Sequence, residues 1–375
     1  MDAARIALDR MLRSGPALAF VFGSSWLDQQ AMLDGVSEAL GEIPIAGLST
    51  AGEIIADGPA THGCVVALLA AEGLTCGVGV GERADEQPRE AGRQAAQAAG
   101  RSVKEPRAGL LLFGDGLLPR MAEVVRGAQE AVGTGSLILG ALAGDDLRFA
   151  QTSQYAGGRA FSRAVTGVLF GRAITLGVGL EHGFAPISRP RRITRASGHV
   201  LFELDDLPAA SVYEEYFGPA VAANLRGERF SRAGIAYPLG VRGERERQWL
   251  LRTVVSFGEG GSLACSGEIR EGEWLQLMIG SRELALEAAR RAALEAVRAL
   301  DRVACVLVFD SALRKALLGP RHAALEIAQI REVVGPSTPL AGCYTYGEQA
   351  TGGALGHGYA ATQTGSILVI ALGNR

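Results

Sequence analysis

The chain carries two matching glycine-rich segments, one near each end. Residues 43–54 read IPIAGLSTAGEI and residues 338–349 read TPLAGCYTYGEQ, and six of the twelve positions are identical. The match keeps its register without a gap as far as His62 and His357, each of which is followed by glycine. Self-similarity of this kind indicates a repeated structural unit.

The repeat extends backwards to an apolar strand that ends in phenylalanine and a polar turn. This strand reads LAFVFGSS at 18–25 and ACVLVFDS at 304–311. A third, weaker copy lies between the other two. It runs from GLLLFGDG at 109–116 to SLILGALAGDD at 136–146, where Gly-Asp stands in place of Gly-Glu. Each copy therefore predicts a strand, a turn, a helix, a second strand and an acidic turn.

Continuous apolar strands that alternate with helix-length segments are typical of α/β layering, with strands buried on both faces. Helical periodicity is clearest at 120–132, 283–300 and 322–334, and β-rich stretches lie at 62–81, 147–181 and 248–279. We predict an α/β fold with substantial antiparallel sheet, in two related domains that contain internally repeated strand-helix-strand units. The predicted domains are 1–190 and 191–375, and the linker candidates are 83–93 (RADEQPREAGR) and 189–192 (RPRR).

The composition excludes several classes of protein. With 48% hydrophobic and 21% charged residues, the 375-residue chain is a globular sequence and not a disordered one. A net charge of −3 gives no general attraction to nucleic acid or to acidic membranes. Only two of the 37 basic residues are lysines, which is typical of GC-rich bacterial coding.

The sequence predicts a cytoplasmic protein. Its longest apolar run, 64–71, is far shorter than the roughly 20 residues of a membrane helix. The N-terminal residues lack the pattern of a signal peptide. The five cysteines form no C-x-x-C pair, which favours a reducing compartment over a disulfide scaffold or a zinc knuckle. The arginine cluster at 189–195 lacks interleaved aromatic residues, so it predicts a linker or ion-pair surface and not a nucleic-acid groove.

The two Gly-Glu turns are the candidate binding sites. Glycine allows close approach to a ligand, and a carboxylate at a strand end accepts hydrogen bonds from an ammonium or hydroxyl group. Two such turns, related by the repeat, could bracket one small polar molecule. The alternative is that both carboxylates accept hydrogen bonds from neighbouring N–H groups and only hold a turn. The candidate residues in these turns and in the third copy are Thr50, Gly52, Glu53, Asp145, Thr345, Gly347 and Glu348.

Three further residues near the last copy are candidates. Arg314 follows a strand end, where it could hold a ligand carboxylate with two hydrogen bonds, or it could be a surface arginine. Tyr344 and Tyr346 flank Thr345, and strand-like alternation could point both rings to one side. They could line a pocket or belong to the core.

No established catalytic motif is present: there is no phosphate-binding loop, no H-E-x-x-H and no G-x-S-x-G. GVGVGE at 77–82 does not match the dinucleotide-binding pattern, and it predicts a strand with glycines for close packing. His62 and His357 could bind a metal or cap loops, and we favour loops. We therefore predict no catalytic residue and no metal site. A hydrolase using Glu, His or Asp145 with Asp146 is the weaker alternative.

Taken in order, these motifs resemble the FIST proteins, which join a FIST N domain to a FIST C domain. The N-terminal likeness lies in VFGSSW (21–26), IPIAGLSTAGEI (43–54), LLFGDG (111–116), LGALAGDD (139–146) and QTSQYAGG (151–158). The C-terminal likeness lies in 193–218, AYPLGV (236–241), SGEIREGEWLQLM (266–278), VLVFDSALRKALLG (306–319) and PLAGCYTYGEQ (339–349).

This resemblance implies a cytosolic sensory protein in signal transduction and not an enzyme. It implies a small-molecule ligand such as an amino acid, and a separate partner such as a kinase, with no nucleic acid or membrane partner. No cofactor is expected. The alternative is haem, because a second branch resembles nitric-oxide-sensing haem proteins, although no residue stands out as an axial ligand. Where the family often has cysteine in F-x-C-x-x-R, this chain has Ser311, which argues against a thiol-dependent role there.

Overall fold

The computed structural model describes residues 1–10, 15–104, 106–218, 236–242, 249–351 and 361–374. Over these residues the chain forms three similar units and one inserted sheet. Helix α1 (Asp2–Asp9) precedes unit 1. Unit 1 consists of β1 (Leu18–Ser24), α2 (Gln29–Leu40), β2 (Ile45–Thr50), β3 (Glu53–Ile55), β4 (Gly58–Ala60) and β5 (Cys64–Leu69).

Units 2 and 3 repeat this order and add a strand and a helix at the beginning. Unit 2 consists of β6 (Cys76–Gly81), α3 (Pro88–Gly100), β7 (Arg107–Asp115), α4 (Met121–Val132), β8 (Ile138–Ala143), β9 (Gln154–Ala156), β10 (Arg159–Phe161) and β11 (Val165–Gly171). Unit 3 begins with β12 (Thr175–His182) and resumes after the insertion with α6 (Arg282–Arg298), β22 (Arg302–Ser311), α7 (Ala312–Val334), β23 (Leu340–Thr345), β24 (Gly347–Ala350), β25 (Ala361–Gln363) and β26 (Ser366–Asn374).

The insertion forms a nine-stranded antiparallel sheet. It consists of β13 (Phe184–Pro186), β14 (Arg191–Ser197), β15 (Val200–Leu204), β16 (Leu207–Pro208), α5 (Ser211–Phe217), β17 (Leu239–Arg242), β18 (Leu250–Arg252), β19 (Val254–Phe257), a 3₁₀ turn (Glu259–Gly261), β20 (Leu263–Cys265) and β21 (Trp274–Gly280).

Each unit is built on one parallel strand pair joined by a helix: β1 with β2, β7 with β8, and β22 with β23. The short strands after each pair leave their own sheet and extend the sheet of another unit. Strand β3 pairs with β23, β24 pairs with β8, and β9 pairs with β2. This cyclic exchange ties the three units into one body.

The shared core lies where the three strand pairs meet. Phe22, Phe113 and Phe309 occupy the same position in the three repeats, and all three are fully buried. Their ring centroids lie 5.6 to 6.3 Å apart, mostly edge to face, which is a favourable aromatic geometry. The phenylalanine that ends each apolar strand in the sequence therefore marks the approximate threefold axis of the fold.

The predicted fold class is confirmed: the chain is α/β with substantial antiparallel sheet and repeated strand-helix-strand units. The predicted helices correspond to α4, α6 and the second part of α7. The linker prediction for 83–93 is wrong, because this segment leads directly into α3, whose Pro88 occupies the first helical turn. Arg191, in the second linker candidate, opens β14 and pairs with Glu215. No described helix is both long and apolar enough to cross a membrane.

Candidate functional site

A cavity of about 480 Å³ lies at the carboxyl ends of the strands of units 2 and 3, under the inserted sheet. We call it the strand-end cavity. Its walls are the loop 116–119 after β7, the first turn of α7, residues 345–346 at the end of β23, and β19 with β20 of the insertion. In α/β proteins ligands bind at the carboxyl ends of strands, and the volume is that of a small-molecule site.

One wall of the strand-end cavity is a cluster of hydroxyl groups. The side-chain oxygens of Thr253 and Thr364 lie 3.1 Å apart, and that of Ser266 lies 3.3 Å from Thr364. The Ser266 hydroxyl also accepts a hydrogen bond of 2.9 Å from the backbone N–H of Thr253. Hydroxyl groups rotate to donate or accept, so this wall can match either kind of group on a ligand.

Another part of the lining is aromatic. The rings of Tyr346 and Phe149 stack with centroids 5.2 Å apart. The Tyr346 hydroxyl donates to Asp145 and accepts a hydrogen bond of 2.7 Å from the N–H of Leu147. Burial, together with the hydrogen bond to Asp145, raises the pKa of this hydroxyl, so the ring stays neutral. The stack with Phe149 and the two hydrogen bonds of the hydroxyl therefore fix the position of the Tyr346 ring.

Asp145 holds the loop that carries this aromatic wall. Its carboxylate accepts hydrogen bonds from the N–H groups of Phe149 (2.9 Å), Ala150 (2.7 Å) and Gln151 (3.0 Å). The side chain is completely buried and does not face the cavity. Asp145 therefore shapes the site through the loop.

The strand-end cavity carries little charge. Among the described residues that line it, none is Asp, Glu, Lys or Arg, and His199 is its single imidazole. Cys265 also lines it, and burial raises the pKa of this thiol to about 12, so it remains protonated. An ion in such a site would lack a counter-charge, which is costly in a partly apolar environment.

The two Gly-Glu turns lie near each other, but their carboxylates do not face the strand-end cavity. Glu53 accepts a hydrogen bond of 2.6 Å from Thr50 and one of 3.0 Å from the N–H of Gly63. Glu348 accepts hydrogen bonds from Thr345 (2.5 Å) and from Ser366. Both carboxylates are completely buried.

This geometry corresponds to the interpretation in which each carboxylate holds a turn. Gly52 has a φ of +124°, a backbone conformation that favours glycine, and Gly347 opens β24. Burial raises the pKa of Glu53, and it raises the pKa of Glu348 to about 8 despite the two hydroxyl donors. Of the residues in the two turns, Thr345 and Tyr346 line the strand-end cavity.

Arg314 is enclosed in the fold and is not available to a ligand. Its guanidinium donates to Asp310 (2.7 Å) and Glu326 and to the carbonyl of Ala285 (2.9 Å), and all three charged side chains are fully buried. Although burial alone would lower the pKa of Arg314, the carboxylates of Glu326 and Asp310 raise it. Tyr344 is buried beside this group, with the Lys315 ammonium 4.9 Å from its ring centroid.

Sequence reasoning missed the residues of the inserted sheet, namely His199, Thr253, Ser266 and the Thr364 hydroxyl that meets them. Thr364 is separated from Thr253 and Ser266 by about 100 positions, so the sequence order does not indicate that these hydroxyls meet. A weak signal was available, since Thr364 follows the last Gly-Glu turn. His357 lies outside the described residues. Within those residues, no group of three or more His, Cys, Asp and Glu side chains is arranged to hold a metal ion.

The fold and the cavity define an α/β protein with three repeated units, an inserted sheet and an internal site of small-molecule size. Two family models match the chain one after the other, and they meet within the inserted sheet. The FIST N domain model matches residues 17–207 and the FIST C domain model matches residues 209–351. The chain belongs to the FIST family. FIST domains are associated with small-ligand sensing in signal transduction.

Comparison with other proteins adds little beyond the family. No curated protein sequence matches the chain. Among solved structures, one similar chain is the cyanuric acid hydrolase from A. caulinodans, at 12% identity and a TM-score of 0.33, with 100% of this chain and 94% of that chain covered. This likeness is too weak to inform the fold or the chemistry. The predicted domain boundary at 190/191 stays a prediction.

Proposed function

We propose that the chain is a sensory protein that binds one small molecule in the strand-end cavity. The ligand carries no net charge and has an apolar part and a polar part. Amino acids with apolar side chains belong to this class if their ammonium and carboxylate groups exchange hydrogen bonds with the hydroxyl cluster, since no protein counter-charge lines the cavity among the described residues. The observation that carries the proposal is the cavity of about 480 Å³ between an aromatic wall and a hydroxyl cluster, lined by described residues without charged side chains.

The two walls suggest how the ligand is oriented. Its apolar part would stack against Tyr346 and Phe149, and its polar part would reach Thr253, Ser266 and Thr364. A ligand oxygen would also lie near the start of α7, where the helix dipole favours negative partial charge. Glu53, Glu348 and Arg314 then support the site through the fold and do not contact the ligand.

The position of the strand-end cavity suggests how ligand binding produces a signal. One side belongs to the repeated units and the other to the inserted sheet, so a ligand that contacts both favours the arrangement in which both walls are close. A ligand shifts such an equilibrium through its unequal affinity for the two states. We propose a separate signalling protein, such as a kinase, as the reader of this change, in the cytoplasm.

The same lining favours binding over catalysis. The cavity holds hydroxyls, one thiol that stays protonated and one imidazole, and among the described residues no hydroxyl that lines it is hydrogen-bonded to His199. An activated nucleophile needs a base within hydrogen-bond reach. We therefore propose no enzymatic turnover.

The side chains that line the strand-end cavity suit haem poorly. His199 could serve as an axial ligand, but Cys265 as a protonated thiol could not readily do so. No described arginine or lysine lines the cavity to pair with two propionates. Haem remains the alternative to be tested beside the small-molecule screen.

The test is a thermal-unfolding screen of the full chain with amino acids and neutral metabolites. A ligand at about one hundred times its Kd stabilises the folded state by about 2.7 kcal/mol, which raises the melting temperature. In the variant Ala316→Trp, which places a large ring at the exposed mouth of the cavity, we expect this rise to disappear. Ala328→Trp is the matched control, because it makes the same exchange at an exposed position of α7 outside the cavity.

Two results would contradict the proposal. One is a ligand whose stabilising effect survives Ala316→Trp unchanged, because it would bind elsewhere. The other is a stable Soret absorption after incubation with haem that is lost in His199→Ala, because it would favour the haem alternative. A screen without any stabilising compound would also count against it.

A further inference from the structure

Unit 1 differs from its two sister units at one sheet edge. In unit 2, strand β6 pairs antiparallel with β11, and in unit 3, strand β12 pairs antiparallel with β26. Both of these outer strands cover the last strand of their unit. In unit 1 the equivalent last strand is β5, and it forms the edge of a five-stranded sheet, where the other two sheets have six strands.

The backbone of β5 is open on its outer side. The carbonyls of Gly63 and Leu69 accept hydrogen bonds from the segment that contains β1, at 2.9 Å each. Since backbone groups alternate along an antiparallel strand, the N–H and C=O groups of Cys64, Val66 and Leu68 point away from β1. Among the described residues no strand pairs with that side. A free edge of this kind is a template for an added strand.

A second cavity lies beside this edge. It measures about 380 Å³ and is bounded by β5, by the turn after β3 and by β22 and β23 of unit 3. We call it the edge cavity. Its lining is almost entirely apolar, with Arg10 and Asp57 as the charged exceptions among the described residues. Strand β5 is half-exposed along most of its length, whereas β11 is buried throughout.

In units 2 and 3, the position beside the last strand is occupied by an outer strand. Strand β6 turns Cys76 and Val78 into the shared core, and β12 turns Leu176, Val178 and Leu180 into it. At the positions between these, β6 has three glycines and the middle of β12 has two, all of them against a helix backbone. A Cβ on Gly79 would lie 2.3 Å from the carbonyl oxygen of Ala95, and one on Gly179 would lie 1.8 Å from that of Ala292. Only a residue without a side chain fits at these positions.

We infer that the open edge of β5 and the edge cavity form a docking site for one extended segment of a partner protein. The segment adds to the sheet antiparallel to β5. It places Val, Leu or Ile at alternate positions, into the edge cavity, and small residues between them. Strand addition of this kind takes its affinity from backbone hydrogen bonds and its specificity from alternate side-chain pockets. The site is separate from the strand-end cavity, so the inference does not depend on the proposed ligand.

The first test needs no partner. We expect the amides of Cys64, Val66 and Leu68 to exchange with deuterium much faster than those of β11, because no strand covers them. Slow exchange of these three amides in the isolated chain would overturn the inference, since the edge would already be paired. The amides of Val65 and Ala67, which face β1, are the internal control.

The second test uses a peptide with the sequence of the chain's own β12, TLGVGLEH (175–182), as a labelled probe. We expect binding to the full chain by fluorescence anisotropy, with protection of the Val66 and Leu68 amides. A peptide carrying Val178→Asp should bind at least about tenfold more weakly, because a carboxylate would enter an apolar cavity. No binding at millimolar probe, or equal binding of both peptides, would overturn the inference.

Two protein variants separate docking from folding. Val66→Pro removes one outward N–H, which an edge strand tolerates, and should weaken probe binding about tenfold. Ala56→Trp places a large ring in the edge cavity from the turn between β3 and β4. It should weaken probe binding similarly, although β5 itself is unchanged. Unaltered binding in a folded form of either variant contradicts the inference. Ala328→Trp, at an exposed position of α7 outside the edge cavity, should bind the probe as the parent chain does.

Discussion

The first and last Gly-Glu turns have the same local hydrogen bond but different surroundings. In both, a threonine three residues earlier donates to the glutamate, over 2.6 Å in the first and 2.5 Å in the last. Around Glu53 the neighbours are a backbone N–H and the half-buried Lys315. Glu348 instead meets Ser366 and lies near the buried ion pairs of Arg314.

This difference teaches that the repeat preserves the turn and not a ligand contact. The threonine donates a hydrogen bond to the glutamate in both copies, so the duplicated motif keeps the same local contact. The residues around the carboxylate differ between the two copies. We therefore expect substitutions at the two turns to lower the free energy of unfolding by different amounts. Three predictions use this divergence.

The largest effect should come from the ion pairs beside the last turn. Arg314→Met leaves Asp310 and Glu326 buried without a cation, and we expect a loss of about 3–5 kcal/mol in the free energy of unfolding. Lys315→Met is the control beside the first turn. It removes one hydrogen bond of 2.7 Å to the carbonyl of Ala51 from a half-buried group, and it should cost about 1 kcal/mol.

Equilibrium unfolding in urea measures both losses. Equal losses for the two variants would mean that the surroundings of the two turns do not differ in the way the contacts indicate. In that case the buried ion pairs would contribute little beyond an ordinary hydrogen bond.

The next effect should appear in the pH dependence of stability. Burial raises the pKa of Glu348 from 4.5 to about 8, so between these values the folded chain holds a proton that the unfolded chain has lost. Stability should therefore fall as pH rises from about 5 to 8, by an amount on the order of 3 kcal/mol, and level off above 8. Glu348→Gln should remove most of this slope, whereas Glu53→Gln should remove less.

Urea unfolding at a series of pH values, with the parent chain and both variants side by side, measures the slopes. An unchanged slope in Glu348→Gln would assign the pH dependence to other buried acids, such as Glu326. A larger change in Glu53→Gln than in Glu348→Gln would reverse the comparison of the two turns.

The sequence predicted the three repeats and the fold class because strands and helices of this kind leave local periodic patterns. Two of the residues that it singled out, Thr345 and Tyr346, line the strand-end cavity. It could not distinguish a carboxylate that meets a ligand from one that meets a threonine, because both need the same residue at the same place. Nor could it predict the hydroxyl cluster, whose members Thr253, Ser266 and Thr364 meet only through tertiary folding.

Arg314 illustrates the same limit. Its place after a strand end suits a ligand clamp, but its partners are Asp310 and Glu326, the latter twelve positions along α7. A buried arginine with two carboxylates is recognisable once the helix packing is known. From the sequence alone, an arginine four residues after an aspartate is equally compatible with an exposed helical ion pair.

The smallest effect should come from the threonines that the two turns share. Thr50→Val and Thr345→Val each leave one buried carboxylate oxygen without its hydroxyl donor, and each should cost about 1–2 kcal/mol in urea unfolding. The two losses should be similar, because the bonds to glutamate have nearly the same length and each hydroxyl also makes one longer backbone contact, Thr50 with the N–H of Gly52 (3.2 Å) and Thr345 with the carbonyl of Asp310 (3.3 Å). Thr345 also lines the strand-end cavity, so Thr345→Val should additionally alter the thermal shift given by a ligand, whereas Thr50→Val should not. Equal stability losses with a ligand effect confined to Thr345→Val would separate the shared turn from the site that only the last copy reaches. A ligand effect in both variants would instead mean that the two turns act on one site after all.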